Sequence, residues 1–188
     1  MSTIQKVKLV SSSSHQKTAC SIKTVATLTI EDARSEHIAL LSTMWQQIDQ
    51  AASRRPFGGD TDTKQSRATE FIEHAIKSPN AILLVAYDSD AQYKKTIGTI
   101  TGHLYERPAV KLSAVGVIYS LWVNTENRRQ GVGQLLLNSI EQRLVTLGAQ
   151  ALQVGWDTDN EQAGAWWQKR GFNSYEMIAS KNIDLKQY

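Results

Sequence analysis

The sequence predicts an α/β (α+β) fold, a mixed central β-sheet flanked by helices on both faces. Helical and strand periodicities follow the order β-α-α-β-β-β-α-β-α-β, with no internal repeat. Three strand signals fall together mid-chain, and the first of them, "AILLVAYD" at 81–88, is a nearly unbroken apolar run. That is the pattern of a strand covered on both faces, and helices must supply the covering layers. A chain of 188 residues, 41% hydrophobic and 21% charged, can bury one full core without staples.

Residues 1–22 contain the serine tract Ser11–Ser14 and read as a flexible N-terminal arm, leaving 23–188 as the domain. "KTVATLTI" at 23–30 is a short strand. The following helix carries Ile38, Leu41, Met44, Trp45 and Ile48 on one face. "SRRPFGGDTD" is a loop, and a second helix over about 62–77 carries Phe71, Ile72, Ala75 and Ile76 before "SPN" stops it. After 81–88 come strands at 95–106, with Gly98 and Gly102 as weak points, and at 111–123. Val132, Leu135, Leu136, Ile140, Leu144 and Leu147 define a helix over 131–147, with Gly148 at its C-terminal cap. "ALQVGW" at 151–156 is a strand, "NEQAGAWWQKR" a helix closed by Gly171, and "SYEMIASKNI" a final strand.

Net charge of +3 and a pI near 9.0 suit an anionic ligand. No basic run exceeds two residues, which argues against a nucleic-acid groove binder. Cys20 stands alone, so no internal disulfide forms and a reducing compartment is expected. The opening "MSTIQKVKLVSSSSHQK" has no apolar h-region, and no run approaches membrane-spanning length. The expectation is a cytoplasmic protein that engages no membrane. Histidines 15, 37, 74 and 103 lack metal-ligand spacing, so no metal is expected.

"NRRQGVGQLLL" joins the 111–123 strand to the helix that follows. The free N–H groups and dipole of a helix N-terminus attract anions. Gly131 and Gly133 bare the backbone, and Arg128 and Arg129 add charge-assisted donors. A Walker loop is excluded, because no Gly-Lys-Ser/Thr ending is present. A dinucleotide fingerprint would need glycine at 136, which is Leu136.

"RRQGVG" resembles the Arg/Gln-x-x-Gly-x-Gly/Ala loop of the GNAT superfamily of acetyl-CoA-dependent N-acetyltransferases. "NEQAGAWWQKRGF" is similar to that family's Asn-x-x-Ala-x-x-x-Tyr-x-x-x-Gly-Phe segment, with Asn160, Ala163, Gly171 and Phe172 in register. The resemblance covers about 24–180 by element order and 115–172 by motif. It implies acetyl transfer from acetyl-CoA to a primary amine of a small molecule or peptide, directly within a ternary complex. Arg128 through Gln134 (including Gln130 and Val132) would hold the pyrophosphate. Leu121, Trp122 and Val123 would carry the pantetheine arm along an open strand edge, with Asn160 and Trp167 at its far end. Homodimers among relatives imply one here by analogy.

Two departures bear on catalysis. Trp167 stands where the family has tyrosine, and an indole N–H is no usable acid. Tyr119 stands where many relatives have glutamate, so the candidates for the base are a water ordered by Tyr119 and Ser120 with Glu106 as its remote acceptor, or Asp157 just past the next strand. These departures motivate an alternative, a non-catalytic coenzyme A-binding regulatory domain. The loop "QAASRRPFGGDTDT" would meet the acceptor, but its arginines and aspartates point to opposite charges.

Overall fold

The computed structural model describes residues 5–8, 27–51, 61–88, 95–106 and 113–177. In chain order these form β1 (Gln5–Lys8), β2 (Thr27–Asp32), α1 (Ile38–Ala51), α2 (Thr61–Lys77), β3 (Ala81–Asp88) and β4 (Lys95–Glu106). Then follow β5 (Ala114–Val123), α3 (Val132–Thr146), β6 (Ala151–Val154) and α4 (Glu161–Gln168). The strands make one six-stranded sheet in sequential order. β1 to β5 pair antiparallel, and β6 joins β5 in parallel. A parallel neighbour requires a crossover, which α3 provides.

β3 shows how the sheet divides its two faces. Ile82, Leu84 and Ala86 point to the side covered by α3, packing with Val132, Leu136, Leu137, Ile140 and Leu144. Leu83, Val85 and Tyr87 point to the other side and pack with Leu41 and Met44 of α1 and Ile72 of α2. Each large apolar side chain buried this way contributes about 1.5–3 kcal/mol. α3 ends in paired bonds from Gly148 N to Val145 O and from Ala149 N to Leu144 O, 2.9 Å each. They satisfy its last carbonyls as a Schellman motif. Gln150 N then bonds Ala114 O at 2.8 Å, which sets β6 beside the start of β5.

Several expectations need correction. The arm expected over 1–22 carries β1, whose Gln5 pairs with Ile30 and Lys8 with Thr27. Four residues are too short a run for alternation to announce a strand, and only β2 beside it makes one. The remainder of the arm, with Cys20, lies outside the described residues. The loop over 52–60 lies outside them too. Of the strand expected over 174–183, residues 174–177 join no strand, and Met177 is 86% exposed. Glu31 and Asp32, expected in the first helix, complete β2. Gly102 is a contact rather than a weak point: a Cβ there would lie 2.8 Å from Ile140 Cδ1, so its absence lets α3 seat on the sheet. Leu147 is exposed where periodicity buries it, and Leu137 is buried instead.

Candidate functional site

Two irregularities of β5 build the site. Its pairing with β6 runs from Val115 opposite Ala151 to Ile118 opposite Val154 and ends there, while β5 continues to Val123. Residues 119–123 therefore lie beyond the end of β6, and their backbone on that side faces a gap in the sheet. The second irregularity is a bulge. Gly102 pairs with Ile118 and Thr101 with Ser120, so Tyr119 is the extra residue. A bulge bends its strand and re-aims its side chains. Beyond it Leu121 and Val123 pack on the α3 side, whereas Trp122 packs on the α1–α2 side.

The turn that follows aims backbone donors at this edge. After Val123, Asn124 N bonds Ile97 O at 2.8 Å, and a short 3-10 turn spans Thr125–Asn127. Arg128 folds back so that its Nε donates to Val123 O at 3.0 Å. Arg129 has φ of 60°, and Gly131 has φ of 86° as the N-cap of α3. The left-handed region suits glycine and strains arginine. Left-handed Gly131 followed by right-handed Val132 is a backbone pair whose N–H groups line one concavity, which attracts anions. No side chain caps Gly131, so the first-turn N–H groups of α3 are not covered from the N-cap. Gly133 faces the strand end: a Cβ there would lie 3.5 Å from Trp166 Cζ2, 3.7 Å from Val123 and 3.8 Å from Leu121. Of the neighbouring glutamines, Gln130 Nε2 donates to Glu126 O at 2.8 Å and Gln134 Nε2 to Asn138 Oδ1 at 2.7 Å. Val132 is buried and anchors the first turn in the core.

α4 forms the far wall. The Asn-x-x-Ala spacing is a helix cap, since Asn160 Oδ1 accepts from Ala163 N at 3.0 Å. Trp167 is 6% exposed and packs edge-on to Phe172 at 5.2 Å. It is a core side chain. The indole that reaches Gly133 is Trp166, overlooked in the sequence because Trp167 holds the motif position. Arg170 lies 3.5 Å above the Trp166 ring and holds it in place.

Across the sheet, alternation along β4 turns Thr99, Thr101, His103 and Tyr105 away from α3, because Ile100 and Gly102 face it. Tyr119 meets this row, its hydroxyl bonded to that of Tyr105. Burial, reinforced by Tyr105, raises the Tyr119 pKa, so its phenol is a donor and not a base at neutral pH. Burial and then the charge of His74 lower the pKa of His103 below 6.5, leaving a neutral imidazole that can accept a proton. Glu106 pairs opposite Ala114 at the other end of β5. At about 3.4 Å per residue it stands roughly 16 Å along the strand from Tyr119. The structure does not bring these two candidates together. His103 escaped notice because the alternation of β4 does not say which of its faces α3 covers.

These features fit a molecule with a pyrophosphate and an amide-bearing arm. The concavity offers N–H donors, and the strand edge offers backbone groups for an extended chain. The bare Cα of Gly133 leaves a methyl-sized space between them. Among the described residues, no group of three or more His, Cys, Asp or Glu side chains could hold a metal. Among the described residues, no helix is long and apolar enough to cross a membrane.

The model of the acetyltransferase (GNAT) family matches residues 45–172 of the 188. An aminoglycoside N-acetyltransferase in complex with CoA superposes with a TM-score of 0.67 at 13% identity, over 86% of this chain and 98% of that one. An aminoglycoside acetyltransferase from an uncultured soil metagenomic sample, in complex with sisomicin, gives 0.60 at 18%, over 84% and 96%. A transcriptional regulator from Bacillus halodurans gives 0.65 at 18%, over 83% and 99%. At these identities the likeness is one of fold.

Proposed function

Because this chain belongs to the acetyltransferase (GNAT) family, we propose that it moves an acetyl group from acetyl-CoA to a primary amine of a small molecule or peptide. The observation that carries this reading is the edge of β5 at 119–123, unpaired with β6 and facing the uncapped start of α3. Bound acetyl-CoA supplies a thioester: the amine nitrogen bonds the carbonyl carbon, the carbon–sulfur bond breaks, and an amide and a free thiol result.

The chain's own residues provide placement and donors. N–H groups of Gly131 through Gln134, with Arg129, hold the pyrophosphate by charge-assisted bonds. Arg128 is tied to Val123 O, so it fixes the turn against the strand as well as adding charge. Leu121 to Val123 pair with the arm, and a strand-edge N–H donates to the acetyl oxygen as negative charge develops there. Asn160 spends its oxygen on the α4 cap, which leaves its amide nitrogen for the arm. Both reactants held at one bulge react with much of the entropy already lost.

For the amine's proton, the α1–α2 side before the bulge offers the neutral imidazole of His103, opposite Val117. The Tyr119 hydroxyl is a donor toward the departing sulfur. A thiol of pKa about 8.5 leaves tolerably as thiolate, so the buried Trp167 in the tyrosine position does not preclude turnover.

That same Trp167 favours a second reading, a coenzyme A-binding domain without turnover. Thermal shifts with acetyl-CoA and coenzyme A, together with thiol release across an amine panel, separate the two. Transfer predicts stabilisation and release with at least one amine. Stabilisation with silence across every acceptor class leaves the binding domain. No stabilisation at millimolar cofactor contradicts both.

A further inference from the structure

We infer that the acceptor is an arylalkylamine, its ring seated on Phe71, Tyr105 and Tyr119 and its amine turned to the hydroxyls of Ser120 and Thr101. The inference rests on the acetyl-transfer reading and adds the class of amine. Periodicity along α2 assigns Phe71 to the core, yet it is 40% exposed, and Tyr105 and Tyr119 are 42% and 39% exposed. These rings form one continuous surface. Trp45 lies 4.9 Å from Phe71, Phe71 stands edge-on to Tyr119 at 6.1 Å, and Tyr105 stands edge-on to Tyr119 at 6.4 Å. Phe71 and Tyr105 thus flank the Tyr119 ring, which suits an inserted flat apolar group.

The surface is continuous with the reacting edge, because Tyr119 is itself the bulge residue of β5. It lies on the α1–α2 side, opposite the α3 turn that would hold the donor. A second, independent observation marks where the amine goes. Thr101 and Ser120 are direct partners across β4 and β5, and they are 1% and 9% exposed. Both turn to the α1–α2 side, since Gly102 and Leu121 next to them face α3. Among the described residues neither hydroxyl has a hydrogen-bond partner. A buried hydroxyl without a partner is unfavourable, so two side by side call for a polar ligand group. A primary amine beside them would lie next to the bulge.

The test compares phenethylamine, n-hexylamine and kanamycin by thiol release, with CoA affinity measured by calorimetry on the same samples. The inference predicts kcat/KM for phenethylamine about 5-fold or more above hexylamine, from ring–ring contact beyond simple burial. Phe71→Leu and Phe71→Ala should erase that preference by raising KM, with CoA affinity and Tm held. Ser120→Ala should raise KM for both monoamines. Equal rates, or kanamycin fastest, overturn the arylalkylamine assignment while leaving acetyl transfer standing. If CoA binds and no amine turns over, calorimetry of phenethylamine against hexylamine on the CoA complex decides, and equal affinity overturns it. If CoA does not bind, the transferase reading fails instead. The same amine comparison on the free protein then judges the aromatic site alone.

Discussion

The two glycines of the turn should respond to alanine in opposite ways. At Gly133 an added Cβ meets Trp166, Val123 and Leu121 at 3.5–3.8 Å, which is ordinary van der Waals contact. The substitution therefore introduces no clash, and replacing glycine in a helical turn gains up to about 1 kcal/mol. For a chain of this size that raises Tm by roughly 2–4 °C. The same methyl, however, fills the space between α3 and the end of β5. An arm lying there would be overpacked by about 1–3 kcal/mol, or roughly 5- to 150-fold in Kd. Gly131 behaves differently, because at φ of 86° an alanine is strained whatever the space. Its cost is about 1–2 kcal/mol, and Tm should fall. Thermal denaturation without ligand and calorimetric titration with CoA read both effects. A Gly133→Ala protein that is at least as stable as wild type and binds CoA equally well would refute an arm passing over that Cα.

Arg129→Gly should raise Tm, relieving left-handed strain of about 1 kcal/mol, while weakening CoA and flattening the salt dependence of its Kd. Trp167→Ala should cost about 3–5 kcal/mol in stability, whereas Trp167→Phe should leave thiol release unchanged, as expected of packing and not of an acid. Tyr87 is tied to His37 and Glu31, and burial with the Glu31 charge pushes its pKa from 10.0 up to about 12. A raised folded-state pKa stabilises fully below 10.0 and is lost as pH climbs through about 12. The Tm gap between wild type and Tyr87→Phe should thus be constant up to pH 10 and narrow toward pH 12, and a gap that widens there contradicts this linkage.

What could be read from the chain was what sequence neighbours decide. The strand, the glycine turn and the helix over 114–146 are contiguous, so residue types and local spacing located them within a residue or two at most boundaries. The helix at 161–168 was legible for the same reason, but not that Asn160 caps it. Pairing between distant strands was illegible. Nothing in "AVGVIYSLWV" says that Tyr119 is an extra residue, because the bulge exists only against Thr101 and Gly102. Nothing in "ALQVGW" says that pairing stops at Val154. Phe71 falls on the apolar stripe of α2, and only the placement of α2 against α1 and β3 leaves it exposed. The two adjacent tryptophans were indistinguishable until α4 was placed, when Trp167 entered the core and Trp166 turned to Gly133.

Backbone amide NMR during titration with CoA addresses the cradle most directly, since it reads N–H groups one at a time. The account predicts the largest shifts at Gly131 through Gln134 and along Leu121 to Val123, with the far strands β1 and β2 unmoved. Saturable binding that leaves those amides where they were, and shifts others instead, would contradict it.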